Sequence, residues 1–162
     1  MLIYSAPLER WECVYKKCGA QCCIGGREVT AGDIRRISQA TGYEPEVFTE
    51  LNEEKGLFKL KSKGDKCFFL RDDYACELHG PDAEPILCRM YPFKFDGIIY
   101  SDEIVLRVKA VEDCPGFGCG EQLEERFEAG MEELGNKFVR EIKDYLKLKH
   151  EGLSIKEILK VK

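Results

Sequence analysis

Apolar residues in the last quarter of the chain recur every three or four positions: Leu123, Phe127, Met131, Leu134, Phe138, Ile142 and Tyr145. That period predicts one long helix from Glu121 to about Lys149, with the stripe serving as core packing. Acids crowd its first half and bases its second, which complements the helix dipole. "LSIKEILKVK" predicts a short final amphipathic helix opened by Ser154 as N-cap. Further back, Thr30 and Asp33 form a capping-box pattern, Ile34 and Ile37 share a helical face, and Gly42 is placed to end that helix. Pro45 suits the first turn of another helix, with Val47, Phe48 and Leu51 as its stripe. "LFKLKSKGDKCFFL" reads as two short strands around "KSKGD", with Cys67 at the start of the second. "EPILCRMYPF" reads as one helical turn carrying Cys88, opened by Pro85 and stopped by Pro92. "FKFDGIIYSDEIVLRVKAV" reads as a hairpin turning at Asp96-Gly97, and "EDCPGFGCGE" as a Gly/Pro-rich loop. The expectation is an α+β fold, cysteine-rich, with short β-hairpins, flanking helices and a long C-terminal helix. Residues 1–120 form the cysteine-cluster metal-binding domain in this reading, and 121–162 a helical extension packing on it.

Composition narrows the function. Hydrophobic residues make up 44% and charged residues 34% of 162 positions, which suits a globular chain long enough to bury a core without metal. The net charge is −5 and the bases form no stripe with aromatics between them, which argues against nucleic acid. The opening apolar run breaks at Ser5 and Pro7 with no basic residues before it, unlike a signal peptide. No run of about 18 apolar residues exists to span a membrane. These features predict a cytoplasmic protein, and nine cysteines there are unexpected. A reducing compartment disfavours disulfides, and an odd number cannot pair fully. Buried thiols would be scattered, whereas "CVYKKCGAQCC" holds four within eleven positions. Metal ligation is the reading that explains the clustering.

If that cluster is helical, Cys18 and Cys22 share a face and Cys23 points about a quarter-turn away. Adjacent thiolates then fit two neighbouring sites, or a polynuclear cluster, more easily than one small ion. A pair of Cys₄ sites would use eight of the nine cysteines. Cys67, Cys76, Cys88, Cys114 and Cys119 fall at turns and loop ends, where backbone amides can donate to sulfur. Gly116, Gly118 and Gly120 allow close backbone approach. Arg71 and Arg89 either offset thiolate charge or are surface cations. His79, three residues after Cys76, is a ligand or a supporting neighbour, and His150 faces solvent. Trp11 and Tyr91 are packing residues beside the site. The acidic residues between Glu44 and Glu54 form a solvated face with no catalytic carboxylate pair. There is no G-x-G-x-x-G nucleotide fingerprint and no Ser or Cys triad.

Four segments in order, "CVYKKCGAQCC", "CFFL…YACELH", "EPILCRMYPF" and "CPGFG", resemble the bacterial and archaeal cysteine-cluster family, CxxCxxCC, described as zinc- or iron-chelating. The resemblance covers residues 13 to about 119 and implies metal ligands at Cys13, Cys18, Cys22, Cys23, Cys67, Cys76, Cys88 and Cys114. Arg89, Tyr91 and Pro92 match the remainder of the third segment. The early spacing here is longer than the family pattern, and Glu84 stands where the family has arginine. Cys119 has no counterpart, so it is an extra ligand or a free thiol. Zinc would be structural, in closed Cys₄ sites. An iron–sulfur cluster is favoured, because dispersed thiolates and an adjacent pair suit a polynuclear centre. Redox, electron-transfer or metal-handling chemistry follows from that choice. The alternatives are a structural zinc module, with the C-terminal helices as surface for a protein partner, and a cluster-dependent modification enzyme. The last is similar to the flagellin lysine methylases, a branch associated with an iron–sulfur cluster.

Overall fold

The computed structural model describes residues 2–4, 8–80 and 82–161. Ser5 and Pro7, on which the signal-peptide reading turns, lie outside the described residues. In chain order the elements are β1 (Leu2–Tyr4), β2 (Arg10–Trp11), α1 (Tyr15–Cys18), a 3-10 turn (Gln21–Cys23), β3 (Glu28–Val29), α2 (Ala31–Thr41), α3 (Pro45–Phe48), β4 (Thr49–Glu54), β5 (Leu57–Leu60), β6 (Ser62–Lys63) and β7 (Lys66–Cys67). They continue with α4 (Ile86–Arg89), β8 (Phe93–Tyr100), β9 (Ile104–Ala110), β10 (Phe117–Gln122), α5 (Glu125–His150) and α6 (Ile155–Lys160). This is an α+β fold with small sheets and a long C-terminal helix. Among the described residues no helix is long and apolar enough to cross a membrane.

Two compact units emerge, each built from two stretches of chain. The first comprises Met1–Gln21 with Ile86–Val139, the second Cys22–Pro85 with Arg140–Lys162. The division between these units falls inside the early cysteine cluster and inside α5.

In the first unit, β9 lies between β1, parallel to it, and β8, antiparallel to it. Asp96-Gly97 is not the hairpin turn. The register slips between Phe95 and Gly97, whose φ is 147°, so the dipeptide forms a bulge within β8. Ile99 and Tyr100 continue the ladder opposite Val105 and Ile104, and the chain reverses at Ser101–Glu103. β-Branched residues beyond the glycine extend the strand, while the Asp96 carboxylate accepts from Arg107 at 2.7 Å. The expected Gly-rich loop is partly a strand as well: β10 pairs antiparallel with β2 around an irregularity between Phe117 and Gln122. Residues 117–122 being in that strand, α5 begins at Glu125, four residues later than the period suggests.

In the second unit, β5 lies between β3 and β4, and β6 pairs with β7 about Gly64. Thr30 and Asp33 form the expected capping box, each accepting from the other's backbone N–H at 3.0 Å, and Gly42 ends α2 in the left-handed conformation. Asp33 is fully buried because Arg36 pairs with it at 2.5 Å and with Glu141 at 2.5 Å, while the Thr30 hydroxyl donates to Glu141. Pro45 opens α3 as expected, but that helix ends at Phe48. Thr49 is already extended, and Leu51 belongs to β4, which pairs with β5. Cys67 ends its short strand rather than beginning one. Ser154 caps α6. Ile34, Ile37, Phe48, Phe58, Phe69, Tyr145, Ile158 and Leu159 are buried together in one core.

Candidate metal centre

The unit boundary sorts the nine cysteines. Cys22, Cys23, Cys67 and Cys76 belong to the second unit; Cys13, Cys18, Cys88, Cys114 and Cys119 belong to the first. None of them forms a disulfide. Cys18 and Cys22 do not share a helical face. α1 ends at Cys18, and Gly19 and Ala20 both take positive φ (67° and 53°) before the 3-10 turn restarts the chain.

In the second unit, Gly25 and Gly26 bend the chain with φ of 82° and 75°. Gly25 N–H then donates to Asp65 O at 2.8 Å, and Ile24 bridges Lys66. These contacts lay the Cys22-Cys23 pair beside the strand that ends at Cys67. The chain folds back once more, with Leu70 bridging Cys76 and Glu77 N–H donating to Phe69 O at 2.9 Å. The sulfurs of Cys22 and Cys23 are 3.9 Å apart. Two ligands about 2.3 Å from a tetrahedral ion lie about 3.8 Å from each other, so adjacency does not prevent the pair from sharing one metal atom. Cys67 Sγ accepts a backbone N–H from Phe69, and Cys76 Sγ accepts from Leu78 at 3.4 Å. Both donors sit two residues after their sulfur, the arrangement that steadies a ligating thiolate.

Charge is unevenly spread over this quartet. The hydrogen bond with Cys23 is the main influence pulling the Cys22 thiol down to about 6; burial opposes it and the Arg27 guanidinium adds to it. Burial pushes the Cys67 thiol up, and pushes Cys76 up to about 11, with the neighbouring thiols Cys22 and Cys67 and the Glu84 carboxylate contributing. Arg27 also anchors the turn, its Nε donating to Cys22 O at 2.9 Å.

In the first unit, β2 and β10 bring the early and late motifs together. Glu12 N–H donates to Gly116 O at 3.2 Å, one residue before Cys13 and two after Cys114. A Cβ on Gly116 would lie 1.9 Å from Glu12 O, so no other residue fits that approach. Cys88 joins from α4. Tyr91 N–H donates to Cys88 O at 3.2 Å, Val111 N–H to Pro92 O at 2.9 Å, and Cys114 N–H to Val111 O at 3.1 Å. Trp11 meets Tyr91 edge-on with ring centroids 5.6 Å apart. Trp11 and Tyr91 thus pack on each other, two residues before Cys13 and three after Cys88. Cys119 is exposed on β10, and its thiol donates to Pro115 O at 3.5 Å.

The other candidates lie to the side. His79 is 83% exposed and faces Glu84, with Nδ1 at 3.5 Å from its carboxylate. Arg71 forms an exposed pair with Asp73 at 2.9 Å, the behaviour of a surface cation. Sequence reasoning missed Arg27, for which the Gly-Gly bend before it is the available signal. The Phe69 and Leu78 amides leave no signal, since a backbone donor carries no residue identity.

Among the described residues no three or more Cys, His, Asp or Glu side chains already close into an ion cage. The donor chemistry nevertheless fits: soft thiolates suit zinc and iron, two sulfurs stand at ligand spacing, and amides are aimed at two more. In the quartet, Cys22, Cys23, Cys67 and Cys76 would hold the metal. A family model, CxxCxxCC, described as "Putative zinc- or iron-chelating domain", matches residues 12–121. No curated protein and no solved structure matches.

Proposed function

The chain belongs to the CxxCxxCC family of metal-chelating domains, and from that premise we propose that it binds metal through two thiolate sets, one in each unit. Cys22, Cys23, Cys67 and Cys76 form one set, and Cys13, Cys18, Cys88 and Cys114 the other. The carrying observation is the division of eight family-pattern cysteines into four and four by the unit boundary.

An iron–sulfur centre in redox, electron-transfer or metal-handling service is the favoured occupant. Cys22 and Cys23 are spaced as two ligands of one metal atom, and no third donor among the described residues joins them at that spacing. A two-iron cluster takes its four thiolates as two pairs, which suits a quartet with one pair already close. Such a cluster supplies one-electron chemistry; the protein supplies thiolates, amide donors to sulfur and the Arg27 charge. Structural zinc is the second reading, since the same 3.9 Å also matches an edge of a Zn–S₄ tetrahedron.

Elemental and acid-labile sulfide analysis, with an absorption spectrum, on protein purified without oxygen tests both readings. Iron with matching sulfide and visible charge-transfer bands supports the first. About two zinc ions per colourless chain support the second. Cys76→Ser and Cys114→Ser should each remove roughly half of the metal, as one of two Cys₄ sets would. Full metal content in both variants contradicts the two-set assignment.

A further inference from the structure

Trp11 is the one tryptophan of the chain, and its Nε1–H is buried without a hydrogen-bond partner among the described residues. Buried donors are rarely left so, because the group has given up water and gained nothing. Its surroundings show what is missing. Trp11 lies two residues before Cys13. Its ring meets that of Tyr91, three residues after Cys88, and a Cβ on Gly116, two residues after Cys114, would lie 3.2 Å from the indole nitrogen. Three of the first unit's four proposed ligands therefore lie within three residues of groups touching this indole. Pairing of Phe117 with Trp11 fixes the ring's strand against the late motif. The side chains carried a few residues from these contacts are cysteine thiols, and thiolates bound to metal are hydrogen-bond acceptors.

We propose that Trp11 Nε1–H donates to a ligand sulfur of the centre held by Cys13, Cys18, Cys88 and Cys114, as a positioning residue for that site. The inference rests on the two-set reading above. A metal-bound thiolate supplies the acceptor that the indole lacks, and the indole in return orients the ligand and lowers its tendency to leave. Replacing a supporting donor of this kind weakens metal retention by roughly 10–100-fold.

The test uses the full chain loaded with zinc. In ¹⁵N-labelled wild type the single indole N–H resonance should move downfield on loading and exchange slowly with solvent. Trp11→Phe keeps a ring against Tyr91 and removes the donor. In a Cys76→Ser background, which leaves the first unit's set alone, it should surrender zinc to a chelator at least about tenfold more readily. Adding Cys114→Ser should abolish the difference between Trp and Phe. An indole resonance identical with and without zinc, or wild-type retention in folded Trp11→Phe, overturns the proposal. Should Trp11→Phe fail to fold, the wild-type resonance decides alone. Full zinc content in Cys114→Ser defeats the two-set reading and this inference with it. Loss of that share with an unmoved indole defeats the inference alone.

Discussion

Cys22 and Cys23 follow one another in sequence, and their sulfurs lie 3.9 Å apart with Arg27 beneath the turn. Replacing either with serine should lower the metal content of the second unit and destabilise it. Cys119→Ser should change stability by less than about 0.5 kcal/mol, as an exposed side chain outside both sets would. Metal content and melting temperature of the three variants check this; equal values in all three would remove the adjacent pair from the ligand set. Protonation gives a second expectation. The Cys76 thiol, pushed up to about 11, and Cys67, also raised, are protonated at neutral pH, whereas Cys22 is ionised above about 6. Metal must expel at least those two protons, and each adds tenfold in affinity per pH unit. Zinc affinity of the second set should thus rise by about 100-fold or more per unit between roughly pH 6.5 and 8. A competition titration in Cys114→Ser that shows a rise of tenfold or less per unit would mean the thiols are not the ligands. At this scale the ligand types were legible, because cysteine identity and order are written in the sequence. The sharing of Cys18 and Cys22 between units was not, since it depends on the positive φ of Gly19 and Ala20, and alanine gives no warning of such a bend.

Among the elements, the bend after the cysteine pair offers a matched comparison. Gly25 and Gly26 have nearly the same φ, 82° and 75°, so a side chain at either carries the same left-handed strain of about 1–2 kcal/mol. A Cβ at Gly25 meets nothing within 4 Å, whereas one at Gly26 would lie 2.5 Å from Leu60 O in β5. Gly26→Ala should therefore cost at least about 1 kcal/mol more than Gly25→Ala, the low end of overpacking penalties. Urea denaturation of the two metal-loaded variants reads the difference, and equal costs would show that β5 does not press on the bend. The α2 cap is a third case: Asp33→Ala leaves the buried Thr30 N–H without its acceptor and Arg36 with Glu141 alone, and should cost about 1–3 kcal/mol by the same measurement. Caps of this kind were legible, since Thr30, Asp33 and Ser154 act through bonds within four residues. The Asp96-Gly97 turn was misjudged for a related reason. The dipeptide permits a tight turn locally, but pairing of Ile99 with Val105 decides where the ladder ends.

For the molecule as a whole, the sequence placed a boundary near residue 120 because the cysteines stop there. The periodicity of α5 correctly marked Phe138, Ile142 and Tyr145 as buried, yet a stripe names a face and not what covers it. In the structure, Tyr145, Ile158 and Leu159 complete the core that also contains Cys67, with the Tyr145 ring 5.5 Å from Phe58. The apolar face of α6 and of the last part of α5 is thereby occupied within the second unit. A fragment ending at residue 120 would lose those three side chains and Ile142, each worth about 1.5–3 kcal/mol of burial. The loss, roughly 6–12 kcal/mol, is comparable with the whole stability of an ordinary domain. Residues 1–120 alone should consequently fail to fold the second unit and should lose the metal of Cys22, Cys23, Cys67 and Cys76, although every cysteine is present. Metal analysis and circular dichroism of the fragment beside the full chain measure this. Full metal content with an unchanged melting profile would restore a self-sufficient domain ending near 120 and reduce α6 to an appendage.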